Sequence, residues 1–214
     1  VDCLSYFIVF EGLDGSGKTT VSLRIVEALA REGFKVLYTY EPYSEDFIKL
    51  INDYGKRLGG VMEAYLMAAD RYNHVVSVIT PALREGLIVV SDRYYYSSLA
   101  YQGAKGVNVE WIKTLNKFAP EPDLAIYLDV EPSVGLRRKK SSTTKIKYLE
   151  EDESFLHKVR TIYKELVARG LMIEVDASND LEDVIKECAR ILCEKLKILC
   201  SQKTYDFKLR APGF

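Results

Sequence analysis

Two short stretches of this chain carry side chains of the kind that handle phosphate. The first is Gly12-Leu13-Asp14-Gly15-Ser16-Gly17-Lys18-Thr19, with Thr20 directly after it. This is the pattern G-x-x-x-x-G-K-T, a phosphate-binding P-loop. Gly12, Gly15 and Gly17 allow turns that a β-carbon would forbid, so that successive N–H groups, those of Asp14 and Ser16 among them, can point at one set of oxygens. Lys18 adds a full positive charge toward the β- and γ-phosphates, and the Thr19 hydroxyl is of the type that ligates Mg²⁺. The second stretch is Asp92-Arg93. An acid there would hold the same Mg²⁺ through water. The arginine beside it offers a planar fork to a second phosphate group. Together they describe a site that binds ATP with Mg²⁺ and holds a second phosphate-bearing molecule beside it.

The flanking residues supply the elements that aim these groups. Phe7-Ile8-Val9-Phe10 runs into the P-loop as a buried strand, and the apolar positions Leu23, Val26 and Ala30 after it have helical spacing. Leu87-Ile88-Val89-Val90 leads to Asp92 in the same way. Strand-like runs recur at 6–10, 35–40, 87–91, 124–129 and 171–175 with helical patterns between them. That alternation predicts a parallel sheet with right-handed crossovers and helices on both faces. Ligands of such sheets bind at the carboxyl ends of strands, where both motifs lie. Three of the gaps read as helices over 60–79, 153–169 and 180–200. The run Arg137-Arg138-Lys139-Lys140 with Lys145 and Lys147 has no core pattern and reads as a basic lid, about 137–150.

Composition narrows the class. The 214 residues, 48% hydrophobic and 29% charged, suit one α/β domain. It is expected over 1–202, with a tail at 203–214. A net charge of −1 argues against broad binding of nucleic acid. No apolar run is long enough for a membrane span. Cys3, Cys188, Cys193 and Cys200 match no zinc spacing, and the last three read as small core residues of a cytoplasmic protein. A guanine-nucleotide switch would read its base with Asn-Lys-x-Asp, but Asn116-Lys117 is followed by Ala119.

The motifs together resemble the thymidylate kinases, nucleoside monophosphate kinases that transfer the γ-phosphate of ATP to dTMP. Phe10-Glu11-Gly12 before the P-loop, Glu41-Pro42, Ala69-Asp70-Arg71, Asp92-Arg93-Tyr94 and Ala100-Tyr101-Gln102-Gly103 carry the likeness, which spans about residues 6–195. It implies the P-loop kinase fold, a five-stranded parallel sheet flanked by helices on both faces with a basic lid, usually as a homodimer. It also implies that Lys18, Asp92 and Arg93 are catalytic and that Arg138 stacks on the adenine of ATP, bordered by Ala177-Ser178. Asp14 would meet the deoxyribose 3′-hydroxyl, Arg71 the thymine edge and Arg93 the acceptor phosphate, with Glu41, Met67, Tyr101 and Gln102 lining the acceptor pocket. Three departures stand out. No arginine flanks Glu41-Pro42, Gly15 occupies a position where one branch has an arginine, and Met67 replaces the usual phenylalanine. A thioether wall is softer than a flat ring, so dUMP is expected to be accepted beside dTMP. Two alternatives fit the same motifs: another nucleoside monophosphate or nucleoside kinase of this fold, and a nucleotide-binding regulator without catalysis.

Overall fold

Five parallel strands form one sheet in the order β2-β3-β1-β4-β5. They are β1 (Tyr6–Gly12), β2 (Val36–Tyr40), β3 (Ile88–Asp92), β4 (Leu124–Asp129) and β5 (Ile173–Asp176). The computed structural model describes residues 5–139 and 152–198. Most of the expected lid, 140–151, and the tail lie outside the described residues. The helices are α1 (Lys18–Arg31), α2 (Glu45–Leu50), α3 (Lys56–His74), α4 (Thr80–Arg84), α5 (Tyr95–Ala104), α6 (Val109–Leu115), α7 (Pro132–Lys139), α8 (Glu153–Ala168) and α9 (Leu181–Leu196).

The three central strands, β1, β3 and β4, are buried on both faces because side chains alternate across a sheet that helices cover twice, whereas the edge strands β2 and β5 are only partly buried. From β1, Phe7 and Val9 enter the core shared with α5 and α8, while Ile8 and Phe10 enter the core shared with α1 and α9. β1 lies at the centre of the sheet, hydrogen-bonded to β3 on one side and β4 on the other. The chain leaves β1 toward β2 and β3, then crosses to β4 and β5, so the crevice beyond β1 is a topological switch point.

Two details depart from the sequence pattern. Gly59, at φ 78°, breaks the start of α3, and two wider turns (Ile51–Gly55 and Val75–Ile79) join α3 to α2 and α4. The apolar positions predicted along 60–79 then divide between two faces. Ala68, Val75 and Ile79 are buried, whereas Val61, Tyr65, Tyr72 and Val76 are each about half exposed. The second departure concerns the cysteines. Cys188 is buried as expected, with desolvation pushing its thiol up to about 12. Cys193, read as a core residue, is disulfide-bonded, and its partner lies outside the described residues. It sits half-buried at the edge of the α9 packing face, where a sulfur can reach beyond the helix.

Candidate active site

The loop between β1 and α1 folds as a phosphate cradle. Ser16 N–H donates to Leu13 O at 3.1 Å, and Val21 N–H donates to Gly17 O at 2.9 Å, starting the helix. Lys18 is buried, and its Nζ donates to Leu13 O at 2.8 Å across the loop. Desolvation, reinforced by the nearby Arg93 charge, lowers its pKa to about 8. Gly15 meets Gly135 of α7 so closely that a β-carbon at 15 would stand 2.2 Å from Gly135 O. With α7 in this position no arginine fits there. The loop is therefore braced by backbone from the helix that leads into the lid segment.

The end of β3 brings the second motif alongside. Thr19 Oγ1 donates to Asp92 Oδ2 at 2.5 Å, while Asp92 Oδ1 is buried with no hydrogen-bond partner among the described residues. A hydroxyl and a carboxylate with an unused oxygen, next to a phosphate cradle, form a donor set that fits Mg²⁺ completed by water and phosphate. Among the described residues no group of three or more His, Cys, Asp or Glu could hold a metal unaided.

Arg93 has φ 73°, unusual for a side-chain-bearing residue. Its N–H donates to Phe10 O at 2.9 Å, and its guanidinium donates to Ser97 Oγ at 3.0 Å, Gly12 O at 3.3 Å and Asp14 Oδ1. The Tyr101 ring centre lies 5.2 Å from the guanidinium carbon. Behind it, the fully buried Glu11 accepts from Tyr94 N–H at 2.8 Å, Ser97 N–H at 3.1 Å, Ser97 Oγ at 2.6 Å and Tyr163 Oη at 2.8 Å. A strand carboxylate thus serves backbone amides at the start of α5 and fixes the hydroxyl that receives Arg93. Desolvation raises its pKa against these bonds.

The α3 and α5 helices form the wall beyond Arg93. Arg71 is buried: Nε donates to Glu41 Oε2 at 2.8 Å, Nη1 to Asn116 Oδ1 at 2.7 Å and Nη2 to Ser98 Oγ at 3.3 Å. A further Nη2–Glu41 Oε2 contact of 2.6 Å completes the ion pair. Glu41 Oε1 in turn lies 3.2 Å from His74 Nδ1, whose Nε2 is 2.6 Å from Thr39 Oγ1 and whose ring stacks on Tyr43. Asp70 accepts from Tyr43 N–H at 2.6 Å and Ser44 N–H at 2.8 Å, anchoring the chain that enters α2. Gln102 is buried on α5, and Met67 on α3 is half-buried. At the opposite end, Arg138 Nη1 donates to Ala177 O at 2.9 Å, joining α7 to the turn after β5.

The residues singled out from the sequence therefore gather in three places. Gly12 to Thr20, Asp92 and Arg93 converge at the ends of β1 and β3; Glu41, Met67, Arg71, Tyr101 and Gln102 line the α3–α5 side; Arg138 stands with Ala177. Thr20 is exposed at the start of α1. Sequence reading passed over Glu63, His74, Ser98 and Asn116. The available signal was polar residues at the buried positions of helical patterns, as in Glu63, Asp70, Arg71 and His74 along α3.

A phosphate cradle after the central strand and a guanidinium held beside it at the neighbouring strand end define a P-loop phosphotransferase. A family model described as thymidylate kinase matches residues 10–188. A probable thymidylate kinase of Staphylothermus marinus is 42% identical over 89% of this chain and 96% of its own. One of Pyrococcus horikoshii is 40% identical over 89% and 97%, and a thymidylate kinase of Caldicellulosiruptor saccharolyticus is 39% identical over 89% and 97%. The chain belongs to the thymidylate kinase family.

Proposed function

We propose that this chain transfers the ATP γ-phosphoryl group to dTMP, producing dTDP and ADP, with the residues at the ends of β1 and β3 carrying the chemistry. The observation that supports this most directly is the convergence of Lys18, Thr19, Asp92 and Arg93, with Arg93 pinned by Asp14, Ser97 and Gly12 O. Phosphoryl transfer through a loose transition state depends on positioning and charge. Lys18 and the P-loop amides bind the β- and γ-phosphates, and Arg93 orients the acceptor phosphate in line with them. Thr19 and Asp92 would hold Mg²⁺, which when bound neutralises charge on the transferred group. Asp14 and Tyr101, both in contact with Arg93, border the acceptor sugar. Arg71, Glu41 and Met67 border the base, and the softer Met67 wall admits dUMP as a second acceptor. Arg138, tied to Ala177 O, borders the adenine of ATP. A coupled ADP assay with each deoxynucleoside monophosphate tests this: turnover should need dTMP or dUMP, and equal rates with all acceptors would refute it.

Two copies of the chain pair through α3. Val61, Tyr65, Tyr72 and Val76 expose 50–56% of their surface on one helix face, spaced 4, 7 and 4 residues apart. Tyr65 meets Trp111, and Tyr72 meets Phe118, extending the patch over α6 and the turn after it. An apolar stripe of this extent on a soluble surface marks an interface, and its helical spacing suits a second copy of the same helix. Light scattering should report a dimer that Tyr72→Glu converts to monomer; a monomeric parent chain would refute the pairing.

A further inference from the structure

Thr39, Glu41, Arg71 and His74 form a chain of polar side chains from β2 and the loop after it to α3, and each is 7% exposed or less. The His74 ring stands at its centre. Its Nδ1 lies 3.2 Å from Glu41 Oε1 and its Nε2 lies 2.6 Å from Thr39 Oγ1. The Tyr43 ring stacks on its face at 4.6 Å between centres. Carboxylate, imidazole and hydroxyl follow in an order that can activate a nucleophile. Here the hydroxyl is buried, with Thr39 5% exposed, so the array holds groups in place and attacks nothing.

Arg71 is the group it holds. A guanidinium with its Nε has five N–H donors. Nε donates to Glu41 Oε2, Nη2 meets the same oxygen and Ser98 Oγ, and Nη1 donates to Asn116 Oδ1. The second Nη1 hydrogen has no partner among the described residues. Asn116 is itself fixed, because its Nδ2 donates to Ile112 O at 2.8 Å. The aim of the remaining donor therefore depends on where Glu41 holds the other edge of the guanidinium.

Glu41 uses its two oxygens unequally. Both Arg71 contacts, at 2.8 and 2.6 Å, fall on Oε2, whereas Oε1 belongs to His74. Arginine and carboxylate commonly meet in a two-point fork, with one N–H on each oxygen. His74 withholds the second oxygen and so prevents that fork. As the anion paired with Arg71, Glu41 only accepts hydrogen bonds, so His74 Nδ1 carries the hydrogen between them. Thr39 supplies the partner for Nε2.

We infer that His74 is a positioning residue for the acceptor: by holding Glu41 Oε1 it keeps Arg71 on a single carboxylate oxygen and aims the remaining Nη1 hydrogen at the acceptor base. Without it the carboxylate would swing to the two-point fork, the guanidinium would turn, and that donor would leave its line. His74 touches neither base nor phosphate and acts through Glu41. This inference rests on the reading of dTMP as acceptor with Arg71 beside its base.

The test separates the two ring nitrogens, with kcat and KM measured for each variant and folding checked by thermal unfolding. An asparagine amide at position 74 reaches the place of Nδ1, and a glutamine amide, one carbon longer, reaches the place of Nε2. His74→Asn therefore keeps a donor for Glu41, and His74→Gln keeps only the Thr39 contact. His74→Gln should raise the dTMP KM at least tenfold, with kcat at saturating dTMP and the ATP KM changing less than threefold. His74→Asn should recover most of that loss. Lost ring packing alone would affect the two variants alike. A His74→Gln KM within twofold of the parent, or equal dTMP KM values in the two folded variants, overturns the inference. Where neither variant folds, the parent decides, since His157 is the only other histidine. Nitrogen-15 spectra of labelled imidazole should show hydrogen on His74 Nδ1, and a ring protonated at Nε2 alone overturns the inference. A parent enzyme that does not use dTMP, with the Nδ1 hydrogen in place, overturns the acceptor reading instead.

Discussion

The depressed Lys18 pKa makes ATP binding depend on pH in a way that can be worked out in advance. Burial and the neighbouring Arg93 lower the ammonium to about 8 in the free protein. A bound triphosphate supplies negative charge and holds the lysine protonated, so the bound-state pKa is higher. The sign follows from linkage: affinity is constant well below pH 8 and falls as pH rises through 8, approaching tenfold per pH unit. Between pH 7 and pH 9 the loss is about tenfold, or about 1.4 kcal/mol. Calorimetric titration of ATP at pH 7, 8 and 9, in buffers of different ionisation enthalpy, should show this decline together with uptake of about half a proton per ATP at pH 8. Lys18→Met should bind ATP weakly and without the pH 8 inflection. Equal parent affinity at pH 7 and pH 9, or an inflection that survives in Lys18→Met, would refute a lysine poised by burial to meet phosphate.

Three other changes probe separate parts of the structure. Arg93→Lys should cost nearly as much kcat/KM for dTMP as Arg93→Ala, about 3 kcal/mol, because a point charge cannot reproduce the fork shared by Asp14, Ser97 and Gly12 O; recovery of most activity by lysine would contradict this. Burial alone would raise the Asp129 carboxyl, but hydrogen bonds from Arg160, Lys164 and Tyr127 outweigh it and bring it down to about 2. Asp129→Asn should therefore lose about 2 kcal/mol of stability at pH 7, with the gap closing as pH falls from about 4 to 2; a gap unchanged at pH 2 would place its cause elsewhere. The parent enzyme should use dUMP within about a hundredfold of dTMP in kcat/KM, since one methyl group in an apolar pocket is worth about 1–3 kcal/mol. Met67→Phe should widen that ratio by ring stacking, and an unchanged ratio would remove Met67 from base selection.

What was legible in the sequence, and what was not, follows the range of the interactions involved. The five strands and the P-loop are written in local patterns, apolar runs ending in glycine or Asp-Arg, and they form as read. The neighbours of Arg71 are not local: Glu41, Ser98 and Asn116 lie 30, 27 and 45 residues away and meet only because α3, α5 and α6 pack together. Periodicity could not show that Val61, Tyr65, Tyr72 and Val76 face outward, because an apolar stripe left at the surface has the same spacing as one that enters the core. Gly15 read as a missing arginine until Gly135 of α7 stood against it. Cys193 read as a core residue because one helix position separates the buried stripe from its edge.

The most direct measurement is transfer itself. ATP labelled in its γ-phosphate is incubated with the purified chain, Mg²⁺ and dTMP, and the products are resolved by chromatography. The label should appear in dTDP in equal amount to the ADP formed, should depend on dTMP, and should fall a hundredfold or more in Lys18→Ala, on the order of 3–4 kcal/mol of barrier. Label released only as inorganic phosphate, or dTDP formed undiminished by Lys18→Ala, would contradict the account.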